Sequence, residues 1–136
     1  MAYHTHSGLN QYKALQQLPA DQPLDLLVQL RLRPEARYPD GEIQSANEAY
    51  ERYSREVYGV LYRAGAQTLW RAHFMLTLIG PEQDRWDECF IQRFPTVEAY
   101  RSLLGDTEYT AASLHWDACV EDCRVRCLSA VPGVGI

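Results

Sequence analysis

The chain reads as an α+β domain with its elements in the order βαββαβ, and three features carry that reading. In residues 24–33, Leu24, Leu26, Val28, Leu30 and Leu32 fall on one face and Asp25, Leu27, Gln29, Arg31 and Arg33 on the other. That two-residue period is the mark of a half-buried strand. Ser45-x-x-Glu48 opens a long amphipathic stretch, as a capping box opens a helix. Phe94-Pro95-Thr96 closes a later alternating run; proline cannot donate to a strand ladder, and threonine caps the helix that follows.

The remaining elements follow in order. Residues 1–8 are small and polar, His4 and His6 among them, and are expected to be a loose terminus. A short helix at 10–18, with Tyr12, Leu15 and Leu18 on one face and Pro19 as its stop, completes an extension over residues 1–22. The domain proper spans 23–130, and "VPGVGI" (131–136) is a tail. After the first strand, "PEARYPDGE" is a loop. The helix at 45–64 carries the stripe Ala46, Ala49, Tyr50, Tyr53, Val57, Val60, Leu61 and Ala64, closed by Gly65. A second strand is expected at 68–79, with Trp70, Ala72, Phe74, Leu76 and Leu78 against the helices and Arg71, His73, Met75 and Thr77 on the other face. Gly80-Pro81 turns the chain into a third strand at 86–94. A helical region at 96–121 breaks at Gly105-Asp106, and Asp106 caps the second piece, whose stripe is Tyr109, Ala112, Trp116 and Cys119. The last strand is 123–128. This order predicts a ferredoxin-like fold, a four-stranded antiparallel sheet with helices on one face. The broken helix lets the chain follow a curved sheet.

Composition narrows the partners. A chain of 136 residues with 46% apolar content can form one packed domain without staples. The net charge of −5 argues against nucleic acid and anionic membranes, which call for a basic face. There is no basic-plus-apolar leader pattern and no run of membrane length, so a cytoplasmic location is expected. Cys89, Cys119, Cys123 and Cys127 then read as reduced, buried thiols. Their spacing fits no zinc motif, and neither a metal nor a cofactor is expected. Nucleophile-elbow, phosphate-loop, dinucleotide and H-E-x-x-H patterns are absent. RNA-recognition domains share the element order, but the third strand lacks their Gly and basic start.

"LIGPEQDRWDECFIQRFPTVEAYRSLLGDTEYTAA", with the earlier "EAYERY" and "ARYPDG", resembles the bacterial domain of unknown function 1330 family. The likeness runs from about residue 23 to about residue 130. Its most specific part is Phe94, Pro95, Val97, Glu98 and Ala99, followed by Asp106, Glu108 and Tyr109. The resemblance implies a dimeric α/β barrel, in which two sheets pair; the family has no agreed reaction. Relatives often carry a His-His-Arg step where this chain has Leu114-His115-Trp116, so only His115 matches, and an Asn where it has Val28. Physics also favours a homodimer. Helices cover one face of a four-stranded sheet, and Leu27, Met75 and Ile91 are expected on the other.

Candidate site residues follow from the expected faces. Arg31 and Arg71 would share the helix-free face with Gln29, His73 and Thr77, joined by Arg93 and either Arg124 or Arg126. Guanidinium forks suit an anionic or keto-enol ligand, and His73 could move a proton near neutral pH. His115 is a second catalytic candidate, Tyr50, Tyr53 and Trp86 are expected to line the cavity, and Asp87 beside Trp86 is a candidate acid. The competing reading has the arginines paired with Asp25, Asp87, Glu88 or a dimer mate, and both histidines structural. Two functions remain open. One is a cofactor-independent enzyme performing proton transfer, cyclisation or oxygenation on a small anionic or aromatic oxygenated molecule; the other is a noncatalytic ligand-binding or stress-related dimer. An enzyme needs His73 or His115 within reach of an enclosed pocket.

Overall fold

The alternating run at the start of the domain becomes β1 (Leu24–Leu32), whose Leu24, Leu26, Val28 and Leu30 are buried. In the computed structural model, which describes residues 3–42 and 44–132, β1 lies inside a sheet of order β2-β3-β1-β4. Its neighbours are β3 (Glu88–Phe94) and β4 (Val120–Leu128), and β2 (Gln67–His73) pairs with the far side of β3. Every pairing is antiparallel, so the ferredoxin-like arrangement holds. Tail residues 133–136 lie outside the described residues.

The helices begin where the caps place them. α1 (Leu9–Gln17) precedes the sheet. α2 (Ala46–Arg63) starts with Ser45 Oγ accepting from Glu48 N at 3.1 Å, the serine half of the expected box. It buries Ala46, Ala49, Val57 and Val60. In α3 (Val97–Leu104), Thr96 Oγ1 accepts from Ala99 N. In α4 (Thr107–Cys119), Asp106 Oδ1 accepts from both Glu108 N and Tyr109 N. The break at Gly105-Asp106 is therefore a second helix start, which redirects the chain.

Several boundaries differ from expectation. β2 ends at His73, not at residue 79, because its partner β3 begins at Glu88, directly opposite His73. One further bond, Phe74 N to Asp87 O, follows. Residues 74–79 then leave the ladder with Met75 92%, Leu78 86% and Ile79 93% exposed. The third strand starts two residues late because Asp87 belongs to a turn: its N–H donates to Leu30 O and its Oδ2 accepts from Leu32 N. α4 ends at Cys119 and passes straight into β4, so residues 120–122, expected in a helix or linker, are strand.

The largest correction concerns faces. Thr68 pairs with Gln92, but Trp70, not Leu69, pairs with Ile91. The extra residue is a β-bulge, and one added residue exchanges the two faces of everything after it. Arg71 stands opposite Phe90 and His73 opposite Glu88, in line with Val28 and Leu30 on the helix side. Trp70 and Ala72 take the open face with Leu27, Cys89 and Ile91. The expectation that Arg71 and His73 share the helix-free face with Arg31 is overturned. That face also carries two polar pairs: Arg93 with Asp25 at 2.8 and 3.0 Å, and Arg126 with Gln29 at 2.6 Å.

Gly65 joins α2 to β2 with φ +79°, where a Cβ would stand 3.0 Å from Pro95 Cγ. Left-handed backbone costs an L-residue roughly 1–2 kcal/mol. Gly65→Ala should therefore lower the unfolding free energy by at least that much, read as a lower urea midpoint at unchanged slope.

Candidate functional site

Between the helix side of the sheet and the helices is a cavity of about 860 Å³. Leu26 and Val28 of β1 and Phe90 and Gln92 of β3 form its floor, with Thr68 and Arg71 from β2 at one side. Tyr50, Tyr53 and Val57 enter from α2, Tyr100 from α3, and Tyr109, Ser113 and Trp116 from α4. The helix periodicity explains this convergence, since residues three apart on one helix share a face. The rings brace each other: Tyr50 and Tyr53 stack at 6.3 Å, Tyr53 meets Trp116 at 5.2 Å, and Tyr100 meets Phe94 at 5.0 Å.

Burial is the main cause that pushes the acidities of Tyr50, Tyr53, Tyr100 and Tyr109 away from ionisation. The Glu88 carboxylate adds to this at Tyr50, and the Tyr109 hydroxyl adds to it at Tyr53. All four phenols are neutral hydrogen-bond donors and acceptors at physiological pH. The cation on the wall is already matched. Arg71 Nε donates to Glu88 Oε1, and Glu88 is only 6% exposed.

The terminus expected to be loose is instead a strap along β4 and α4. His4 N donates to Asp122 Oδ1 at 2.8 Å, and Cys123 N donates to His4 O at 2.7 Å. Trp116 Nε1 donates to Thr5 O at 3.1 Å, and His6 Nε2 lies 2.6 Å from Asp117 Oδ1. The strap leads α1 over the cavity, where Gln11, Tyr12 and Leu15 cover it. No residue of α1 is fully buried, so the helix is a cover more than a core element.

The expected site residues are thus divided. Arg71, Tyr50 and Tyr53 line the cavity; His73, His115, Trp86, Asp87 and Arg31 do not. His73 is exposed at the end of β2. His115 is buried, with Nδ1 2.6 Å from the Tyr38 hydroxyl and Nε2 3.0 Å from Glu56 Oε1. It fastens the loop before α2 to both long helices, and Arg52 lies over the Tyr38 ring at 5.4 Å. Trp86 is buried between the Arg31 and Arg124 guanidinium groups, 5.7 and 5.1 Å from its ring. Arg31 donates to Glu121, to Arg85 O and to Asp122. Tyr100 and Glu88 escaped the sequence reading as site residues. Tyr100 had a signal, since it lies three residues after Val97 on the core stripe. Among the described residues, no three His, Cys, Asp or Glu side chains converge on a metal position, and no helix is long and apolar enough to cross a membrane.

Asp122 ties the strap to the sheet. It is 1% exposed and accepts from His4 N, Arg124 and Arg31. Burial opposes its ionisation, but the His4 N–H and the charges of Arg124 and Arg31 outweigh burial and hold the carboxyl below the usual aspartate range. A depressed folded-state pKa gives stability that is present above the unfolded value of about 3.9 and is lost as pH falls through the folded one. Asp122→Asn should lower Tm at pH 7, and thermal melts should show the gap to wild type closing below about pH 4.

No family model matches the chain, and no curated protein matches it. Solved structures do. The methylated RPA0582 protein is 35% identical, over 98% of this chain and all of that one, with a TM-score of 0.92. RPA0582 from Rhodopseudomonas palustris, described as a protein of unknown function, is matched at 33% identity over 96% of this chain and 98% of that one, with a TM-score of 0.90. A dimeric protein of unknown function and ferredoxin-like fold from Bacteroides fragilis NCTC 9343 shares the fold, at 11% identity, 82% and 100% coverage and a TM-score of 0.50. With about a third of its residues identical over nearly its whole length, the chain belongs to the family of the RPA0582 protein of Rhodopseudomonas palustris.

Proposed function

We propose that this protein binds a small oxygenated organic molecule in the cavity between its sheet and its helices. The observation that carries the reading is the set of four neutral tyrosine hydroxyls converging on a space of about 860 Å³ floored by Leu26, Val28 and Phe90. That volume suits a drug-sized ligand, and buried pockets with a few polar groups are the usual form of such sites. Binding is favoured over acid–base catalysis by the positions of the two candidate histidines. Both ring nitrogens of His115 have protein partners away from the cavity, and His73 lies outside its lining. The titratable groups that do border the cavity include the tyrosines, Glu88, and His4 and His6 of the strap.

We further propose that the chain is a cytoplasmic homodimer of the domain of unknown function 1330 kind, paired through the open face of the sheet. Trp70, at 51% exposure, and half-buried Leu27 and Ile91 support this, together with exposed Met75, Leu76 and Leu78 beyond β2. The dimeric Bacteroides fragilis relative shares the fold.

Two measurements test these readings. Native mass spectrometry after incubation with a panel of naphthols, naphthoquinones and hydroxybenzaldehydes should show one molecule per chain. Ser113→Trp, which fills the space from α4, should abolish that adduct while leaving the melting curve close to wild type. No adduct with any panel member, or undiminished binding by the filled variant, would sink the cavity reading. Light scattering should give twice the 15.6 kDa chain mass, and Trp70→Asp should shift it to the monomer; a wild-type monomer at micromolar concentration refutes the pairing.

A further inference from the structure

We infer that the Arg71–Glu88 pair is a charge filter that makes this cavity select uncharged aromatic ligands over their anionic counterparts. The inference rests on the cavity reading above and adds to it the sign of the ligand's charge.

Arginine on a cavity wall ordinarily invites a carboxylate. Here the invitation is already taken. Glu88 is buried on the helix side of β3, and Arg71 reaches it from β2 through Nε, while the rest of the Arg71 side chain stands largely exposed. A buried carboxylate without its cation is strongly unfavourable, so the pair is held together by the penalty for separating it. An anion entering beside Arg71 would meet the guanidinium and the carboxylate together and gain little from their sum.

The other arginine at the cavity rim is matched in the same way: Arg124 Nη1 donates to Asp122 Oδ1 at 2.7 Å. Neutral donors and acceptors on the wall include the phenols of Tyr50, Tyr53, Tyr100 and Tyr109, with Thr68, Gln92 and Ser113. Hydroxyls and amides can each donate or accept, which suits ligand hydroxyl and carbonyl groups equally. The faces of Phe90 and Trp116 suit a flat ring.

The test compares 2-naphthol with 2-naphthoate, similar in shape and different in charge at pH 7, by titration calorimetry. Wild type should bind 2-naphthol at least about tenfold more tightly than 2-naphthoate, the difference of one charge-assisted bond. Glu88→Gln keeps the side-chain shape and frees the guanidinium, so 2-naphthoate should gain about tenfold or more and reverse the order. The double variant Arg71→Gln with Glu88→Gln removes both charges and should restore the wild-type preference. It also controls for folding, because it leaves no unpaired charge. Equal or tighter binding of 2-naphthoate by wild type overturns the filter, as does a Glu88→Gln variant with an unchanged preference or one that unfolds while the double variant stays folded. Binding of neither probe by any of the three proteins overturns the cavity reading itself.

Discussion

The extra residue in β2 between Thr68 and Trp70 decides which side chains meet the helices. In a sheet covered on one side only, the two faces have different fates, and a single inserted residue exchanges them. Downstream of the bulge, Arg71 turns inward and Trp70 outward. The inward arginine then meets Glu88, a carboxylate that the strand alternation buries on the same face as Phe90, opposite Leu30. Without the bulge, Glu88 would lie under the helices with no cation from β2, and Trp70 would compete with Tyr50 and Tyr53 for the same space. The bulge thus sets both the charge balance of the cavity and its size.

A second constraint acts on the helices. Large aromatic side chains on α2 and α4 project into the space above the sheet, while α2 and α4 pack against each other and carry small buried residues. Ala49, Ala112 and Ala118 are completely or almost completely buried, at 0%, 0% and 1% exposure. The alanines lie outside the cavity lining, and the tyrosines of the same helices form it. Ring-to-ring contacts hold Tyr50, Tyr53 and Tyr100, and the Tyr53 and Tyr109 hydroxyls also bond to each other.

Much of this was legible in the residue order. The alternation of Leu24 to Leu32, the caps at Ser45, Thr96 and Asp106, and the stop at Pro95 are local signals, and each produced the element it announced. Tyr50 and Tyr53 reach the wall because the helix stripe brings them there; Arg71 reaches it only because the bulge reverses the face on which strand periodicity alone would put it. What was lost depends on partners distant in sequence. The bulge is a property of the β2–β3 pair, and Phe74 to Ile79 alternates as well as any strand but has no neighbour to bond. His115 could not be read as buried from α4 alone, since Tyr38 and Glu56 lie 77 and 59 residues away. The strap of residues 3–8 was invisible for the same reason: its fastenings are backbone groups and the side chains of Trp116, Asp117 and Asp122.

The departure of residues 74–79 from the ladder also bears on how the chain avoids self-aggregation. β2 is an edge strand, and it runs on into Phe74-Met75-Leu76-Thr77-Leu78-Ile79, six residues without a charge. An exposed edge continued by such a segment is a template onto which foreign strands can add. The bulge twists the edge before the segment begins, and the Gly80-Pro81 step with Glu82 and Asp84 behind it places a breaker and two negative charges at its far end. Even so, the middle of the segment has no gatekeeper of its own. Whatever covers it in the assembled protein therefore also protects the chain from amyloid-type growth, so mutations that weaken that cover are expected to appear first as lost solubility and only afterwards as lost binding.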